Sequence, residues 1–167
     1  MLTQTFLRPS GQKVSADEVI KIITDYIMQD TSATYEFTVG TDSQNFDRTK
    51  MVEVIALHRV GKGGIFFYNV EYIRRIDSLR QKITEETQRS LANADGLVEA
   101  LELSLMEHDI DLNELDVLFQ IHCDIGKEGK TKMLIKEITN WVTSLGYACL
   151  IKPDSYTASG IANKYSK

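Results

Sequence analysis

The 167-residue chain divides into blocks by the spacing of its apolar residues. Between residues 33 and 44, Tyr35, Phe37 and Val39 alternate with Glu36, Thr38 and Gly40, the period of two that marks a strand. Asp42 falls at the carboxyl end of that strand. Gly40 removes a side chain just before the acid, while Ser43, Gln44 and Asn45 follow it with hydrogen-bonding groups, so the backbone there can approach a ligand. Residues 51–60 form a second such run. Gly61, Lys62, Gly63 and Gly64 then turn the chain into a third, at 65–73, which is rich in Phe66, Phe67, Tyr68 and Val70. Three strands joined by short turns predict an antiparallel meander.

Elsewhere the period lengthens. Ser15 with Glu18 three positions on is a capping box, and Val19, Ile20, Ile23, Tyr26 and Ile27 continue at helical spacing to about Gln29, behind an arm or short strand at 1–13. After the meander, Asp77 or Ser78 caps a helical pattern carrying Leu79, Ile83, Glu86, Ser90 and Leu91, then Leu97, Val98, Leu101, Leu105 and Met106. Asn93 and Gly96 leave one helix or two. Residues 115–124 read as a fourth strand and 131–145 as a helix ended by Gly146. Residues 147–151 make a fifth strand, and a short terminal helix follows Pro153. The expected fold is α/β: a mixed five-stranded sheet in the order β-β-β-α-β-α-β-α, flanked by helices, with an extra N-terminal helix. Residues 1–167 are read as a single domain, of which 1–32 are the arm and first helix.

Composition narrows the class. With 43% hydrophobic and 26% charged residues the chain is an ordinary globule, and no apolar run approaches a membrane span. The N-terminus has no basic-then-apolar leader, so a cytoplasmic protein is expected. Cys123 and Cys149 lie within predicted strands as small apolar groups, without metal spacing. A net charge of −5 means that any nucleic-acid partner must be met by a local basic patch.

Four carboxylates stand where elements meet. Asp42 ends the first strand, Glu86 lies on the long helix, Asp124 ends the fourth strand, and Asp154 opens the last helix. Singly, each has an ordinary role: the strand-end aspartates can form turns, Asp154 can cap a helix, and Glu86 can pair with Lys82 or Arg89. Together they are harder to explain. Glu86 shares the inward stripe of Leu79, Ile83 and Ser90, whereas Glu85 lies about 100° away. Buried acids are costly unless cations share them, and oxygen-only ligands suit Mg²⁺ or Mn²⁺ better than Zn²⁺. Two such ions can activate water for phosphodiester hydrolysis.

The element order and its acids resemble the ribonuclease H-like superfamily. More narrowly, Val-Gly-Thr-Asp-Ser-Gln at 39–44, His-Cys-Asp-Ile-Gly at 122–126 with Gly-Lys-Thr-Lys at 129–132, and Lys-Pro-Asp-Ser-Tyr-Thr-Ala-Ser at 152–159 resemble a family of small bacterial ribonuclease H-like proteins once known as a domain of unknown function. The resemblance implies a nuclease site holding two Mg²⁺ or Mn²⁺ ions, with Asp42 bridging and Glu86, Asp124 and Asp154 completing the ligands. It implies a substrate of RNA, RNA-DNA hybrid or structured DNA. The Lys-Pro-Asp-Ser ending departs from the superfamily's usual C-terminal approach to its last acid. A non-catalytic module of the same fold, binding nucleic acid or a protein, is the alternative.

The loop after Asp124 carries Lys127, Lys130 and Lys132 beside glycines at a helix start, a setting that can hold backbone phosphates. A nucleotide-binding loop is a weaker third reading, because the match is poor. That motif needs four residues between its first glycine and Gly-Lys-Thr, and here two intervene. His122 shares the face of Asp124, where it serves as a core group or a proton carrier. Arg74, Arg75, Arg80 and Lys82 form either a basic edge or a solvated face, and no aromatic stands out for stacking on bases.

Overall fold

A computed structural model describes residues 2–152. Asp154 and the expected terminal helix lie outside the described residues. The five predicted strands all form: β3 (Thr34–Asn45), β4 (Thr49–Arg59), β5 (Gly64–Ile73), β6 (Asp116–Gly126) and β7 (Ala148–Lys152). The arm adds two more, β1 (Phe6–Leu7) and β2 (Lys13–Val14), so the sheet has seven strands in the order β2-β1-β5-β4-β3-β6-β7. Strands of two residues are too short to alternate. What places β1 is the burial of Phe6 and the pairing of Leu7 with Tyr68.

The meander β3-β4-β5 is antiparallel, whereas β6 joins β3 in parallel and β7 joins β6 in parallel. The switch from hairpins to parallel pairing follows from the connections, because a helix must cross over between parallel strands. α1 (Ala16–Met28) precedes the meander, while α2 (Leu79–Met106) lies in the connection that leads to β6 and α3 (Ile135–Ser144) in the one from β6 to β7. All three contribute to one core cluster with Tyr35, Phe37, Val39, Ile55, Leu57, Phe67 and Ile121 from the sheet. A smaller cluster of Val52, Val54 and Tyr68 belongs to the residues that alternate with these. No helix among the described residues is long and apolar enough to cross a membrane.

The ends of the helices follow local chemistry. Ser15 and Glu18 close the capping box on α1, and Ser78 accepts from the Gln81 amide at the start of α2. The predicted 131–145 helix begins with a 3-10 turn at Lys132–Leu134 before α3 proper. Gly146, at φ +92°, ends it in the left-handed conformation that glycine adopts without a Cβ penalty.

Asn93 and Gly96 do not split α2, which runs unbroken for 28 residues. Its buried stripe is apolar in the second half, with Leu97, Leu101 and Leu105, and polar in the first half, with Glu86, Thr87, Ser90 and Asn93. Hydrogen bonds and ion pairs pin the polar half. Ser90 and Thr41 share a buried hydroxyl pair at 2.8 Å. Asn93 donates to Glu53 at 2.7 Å and accepts from Gln4 at 2.6 Å. Arg89 reaches Glu53 on β4 at 3.2 Å, Glu71 on β5 at 2.7 Å and Glu85 on its own helix at 2.8 Å.

Glu53 is buried, and desolvation holds its carboxyl above the usual range despite Asn93 and Arg89. Removing Arg89 strands that charge. R89A is therefore expected to lower unfolding stability by about 3 kcal/mol, read as a shift in the urea midpoint. E53Q/R89M, which removes both charges, is expected to recover most of the loss.

Candidate active site at the carboxyl ends of β3 and β6

The parallel ladder between β3 and β6 ends at the pair Gly40 and His122. Asp42 and Asp124 each lie two residues beyond it, so the two acids stand side by side where the strands part. In open α/β sheets the crevice beyond the carboxyl ends of parallel strands is where ligands bind. On the other side of β6 the register slips. His122 pairs with Leu150 and Gly126 with Lys152, four steps on β6 against two on β7. The two extra residues form a bulge at Cys123, Asp124 and Ile125, and a bulge next to a site re-aims a side chain.

α2 brings the third acid. Glu86 is buried in the helix face that meets β3, and its Oε2 accepts from Ser43 Oγ at 2.5 Å. Glu85 lies off that face and is held by Arg89. Neither surface pairing considered for Glu86 dominates. Arg89 is engaged elsewhere, and Lys82 contributes the smallest of the influences on its carboxyl.

The electrostatics tie the three acids together. Burial, followed by the negative charge of Asp124, pushes the Asp42 carboxyl up to about 6 against the opposing Ser43 amide and Lys152 ammonium. Burial also pushes Glu86 up to about 8; Ser43 resists, and Asp42 and Asp124 add to the rise. A fourth group enters here that sequence reasoning had placed only within a motif. Lys152 Nζ lies 2.8 Å from Asp124 Oδ1. Among the described residues no other donor reaches Asp124 Oδ1, a buried acceptor. The ammonium is held above its usual range by Asp124 first, with Asp42 and Glu86 adding to the effect.

In kind, this donor set fits a hard divalent cation: three carboxylates, mutually repelling, one with an unserved buried oxygen. It is not a closed cage. Among the described residues no three His, Cys, Asp or Glu side chains are grouped to hold a metal together.

Lys127, Lys130 and Lys132 are exposed on the loop that follows Asp124. Thr131 Oγ1 accepts from the Gly126 amide at 3.1 Å and folds that loop back on itself. Gly126, Lys127, Glu128 and Lys152 line an open cavity of about 430 Å³ beside the acids. A larger groove of about 540 Å³ runs between α1 and α2 past Asp17, Thr24 and Ser104. It contains none of the three site carboxylates, so the chemistry is placed at the acids and not in that groove.

His122 is buried in β6, two residues before Asp124. Of the basic residues near α2, Arg80 pairs with Glu137 at 2.6 Å, while Arg75 holds Asp77 at 2.7 Å and the Phe46 carbonyl. Exposed aromatics, which the strand pattern did not suggest, are present. Phe46, at the β3-β4 turn, is 55% exposed and Tyr72 on β5 is 46% exposed. The Arg48 guanidinium lies 5.3 Å from the Tyr72 ring and Lys50 Nζ lies 5.7 Å from it. Alternation puts Phe67 in the core under the helices and Tyr72 on the opposite face of β5, the face of Phe66, Tyr68 and Val70. Cys123 and Cys149 are free thiols, 3.7 Å apart across β6 and β7.

The family model described as Ribonuclease H-like matches residues 18–167. The chain belongs to the ribonuclease H-like family. It is also 36% identical over 173 residues to the Bacillus subtilis (strain 168) protein named "Uncharacterized protein YkuK", covering 97% of this chain and 96% of that one. No solved structure matches it. Membership in the ribonuclease H-like family agrees with the mixed sheet flanked by helices. It does not by itself assign a reaction, because one fold hosts many.

The raised acids set a pH dependence. A carboxyl with a higher pKa in the folded state stabilises the fold at low pH, and this contribution is lost as pH rises through the folded value. For Asp42 and Glu86 the window runs from their ordinary values near 4 up to about 6 and about 8. Without divalent ions the melting temperature is expected to fall between about pH 5 and pH 8.5. D42N is expected to flatten the lower part of that fall and to gain on the order of 2 kcal/mol at the alkaline end. Calorimetry across the pH range checks both.

Proposed function

We propose that this chain is a divalent-metal-dependent nuclease that hydrolyses phosphodiester bonds in RNA, RNA-DNA hybrid or structured DNA. The observation that supports this reading is the convergence of Asp42, Asp124 and Glu86, three carboxylates forced together against their own repulsion at the end of a parallel strand pair. A fold does not keep such a group for stability.

In this reading Asp42 would be the central ligand of two Mg²⁺ or Mn²⁺ ions. Asp124 and Glu86 complete the ligands within the described residues, and Asp154 is the fourth. Bound there, the ions supply an activated water and charge stabilisation at the leaving oxygen. The chain does the rest. Ser43 fixes Glu86 through its 2.5 Å hydrogen bond, so this carboxylate is oriented before a ligand arrives. Lys127, Lys130 and Lys132 meet the substrate's phosphates beside the acids, the local positive charge that a chain of net charge −5 needs. Tyr72 and Phe46 offer exposed ring faces on which unpaired bases can stack.

Cleavage of a labelled panel (single-stranded RNA, RNA-DNA hybrid, branched DNA) with Mn²⁺ tests the assignment. Wild type is expected to cut at least one substrate, and D124N is expected to lose at least about a hundredfold in rate. F46A/Y72A is expected to bind single-stranded RNA roughly tenfold more weakly in a filter or anisotropy assay, while keeping its melting temperature.

A second reading also has an observation in its favour. The Lys152 ammonium already answers Asp124, and the described acids are not closed into a metal cage, as suits a module that binds without turnover. Tight binding of a panel member with no metal-dependent cutting would select it.

A further inference from the structure

Lys152 is the last described residue of β7 and the only basic side chain, among the described residues, in an ion pair with one of the three site acids. Three features put it there. The register slip between β6 and β7 brings Lys152 opposite Gly126. Gly126 carries no side chain, and a Cβ at that position would come within 3.0 Å of the Lys152 Cβ. The lysine stem can therefore lie close against the β6 backbone and turn its ammonium toward Asp124. The Lys152 side chain is also 56% exposed, so it is free to swing outward into the cavity it lines with Lys127.

We propose that Lys152 is a tethered cation that neutralises the acid cluster in the metal-free protein and gives way when a divalent ion binds. This inference rests on the nuclease reading, because it takes Asp124 to be a ligand. A monovalent ammonium on a flexible stem and a divalent ion compete for the same buried oxygen, Asp124 Oδ1, which has no other donor among the described residues. Binding the ion costs the ion pair, so the lysine lowers metal affinity while keeping the empty site from flying apart. Once released, the ammonium joins Lys127 at the mouth of the cavity, where a substrate phosphate would lie. Metal entry and phosphate capture are thereby linked through one side chain.

The test is titration of chelator-stripped protein with Mn²⁺, by calorimetry and by thermal shift, for wild type, K152Q, K152R and D42N. K152Q is expected to bind Mn²⁺ about three- to tenfold more tightly than wild type at low salt, with the difference shrinking in about 0.5 M salt as screening weakens the ion pair. K152R, which keeps the charge, is expected to stay near wild type. In chelator, K152Q is expected to melt below wild type, whereas K152Q added to D124N is expected to cost nothing further. Equal or weaker Mn²⁺ binding by K152Q, with wild type binding well and D42N not, overturns the lysine's role and leaves the metal site standing. Absence of Mn²⁺ binding in wild type and K152Q alike overturns both.

Discussion

A helix turned by one residue carries its side chains through about 100°, and at α2 such a turn would exchange buried Glu86 for Glu85. In the apolar half the turn would lift Leu97, Leu101 and Leu105 out of the core. The polar half adds a directional constraint. Arg89 is fixed at once to β4, to β5 and to Glu85, Ser90 is paired with Thr41, and Asn93 is held by Glu53. These contacts are short-ranged and directional, so they admit one rotation of the helix. Ser43 then receives Glu86 as a consequence.

That arrangement places a buried ionic network directly beside a buried acidic one, and the two behave differently. Around Glu53 each negative charge has a donor, from Arg89 or Asn93. Around Asp42, Glu86 and Asp124 the negative charges outnumber the donors, with Ser43 and Lys152 serving three carboxylates. The first network gives rigidity, and the second holds unmet demand for positive charge. A rigid frame around an unsatisfied cluster is what preorganisation means in physical terms.

Much of this was legible in the chain. The alternation from Tyr35 to Val39 and the helical stripe through Ile83 and Glu86 are local patterns, and local patterns survive folding when they agree with the core. Asp42 and Asp124 could be read as strand-end acids for the same reason. The role of Arg89 could not be read, because it depends on Glu53 and Glu71, 36 and 18 positions away. Lys152 was equally hidden. Its contact arises from a register slip between parallel strands, and hydrophobic periodicity carries no information about a bulge of two residues. The short β1 and β2 lie below the length at which alternation can be recognised, and the exposure of Tyr72 was hidden because a strand as apolar on both faces as β5 does not say which face the helices cover.

The parallel ladder of β3 and β6 pairs Thr34 with Asp116 and Gly40 with His122, partners 82 positions apart in the chain. Closing so long a loop carries an entropic cost that the meander and the helices do not bear. The hairpins and α2 can form from neighbouring residues, whereas the crevice between Asp42 and Asp124 exists only after β6 has docked. Asp124 therefore joins Asp42 only when the long-range β3–β6 ladder closes, and their mutual repulsion is borne by that closure. A chain ending before β6 would hold Asp42 with Glu86 but without Asp124, and so without the like charge that acts most strongly on Asp42.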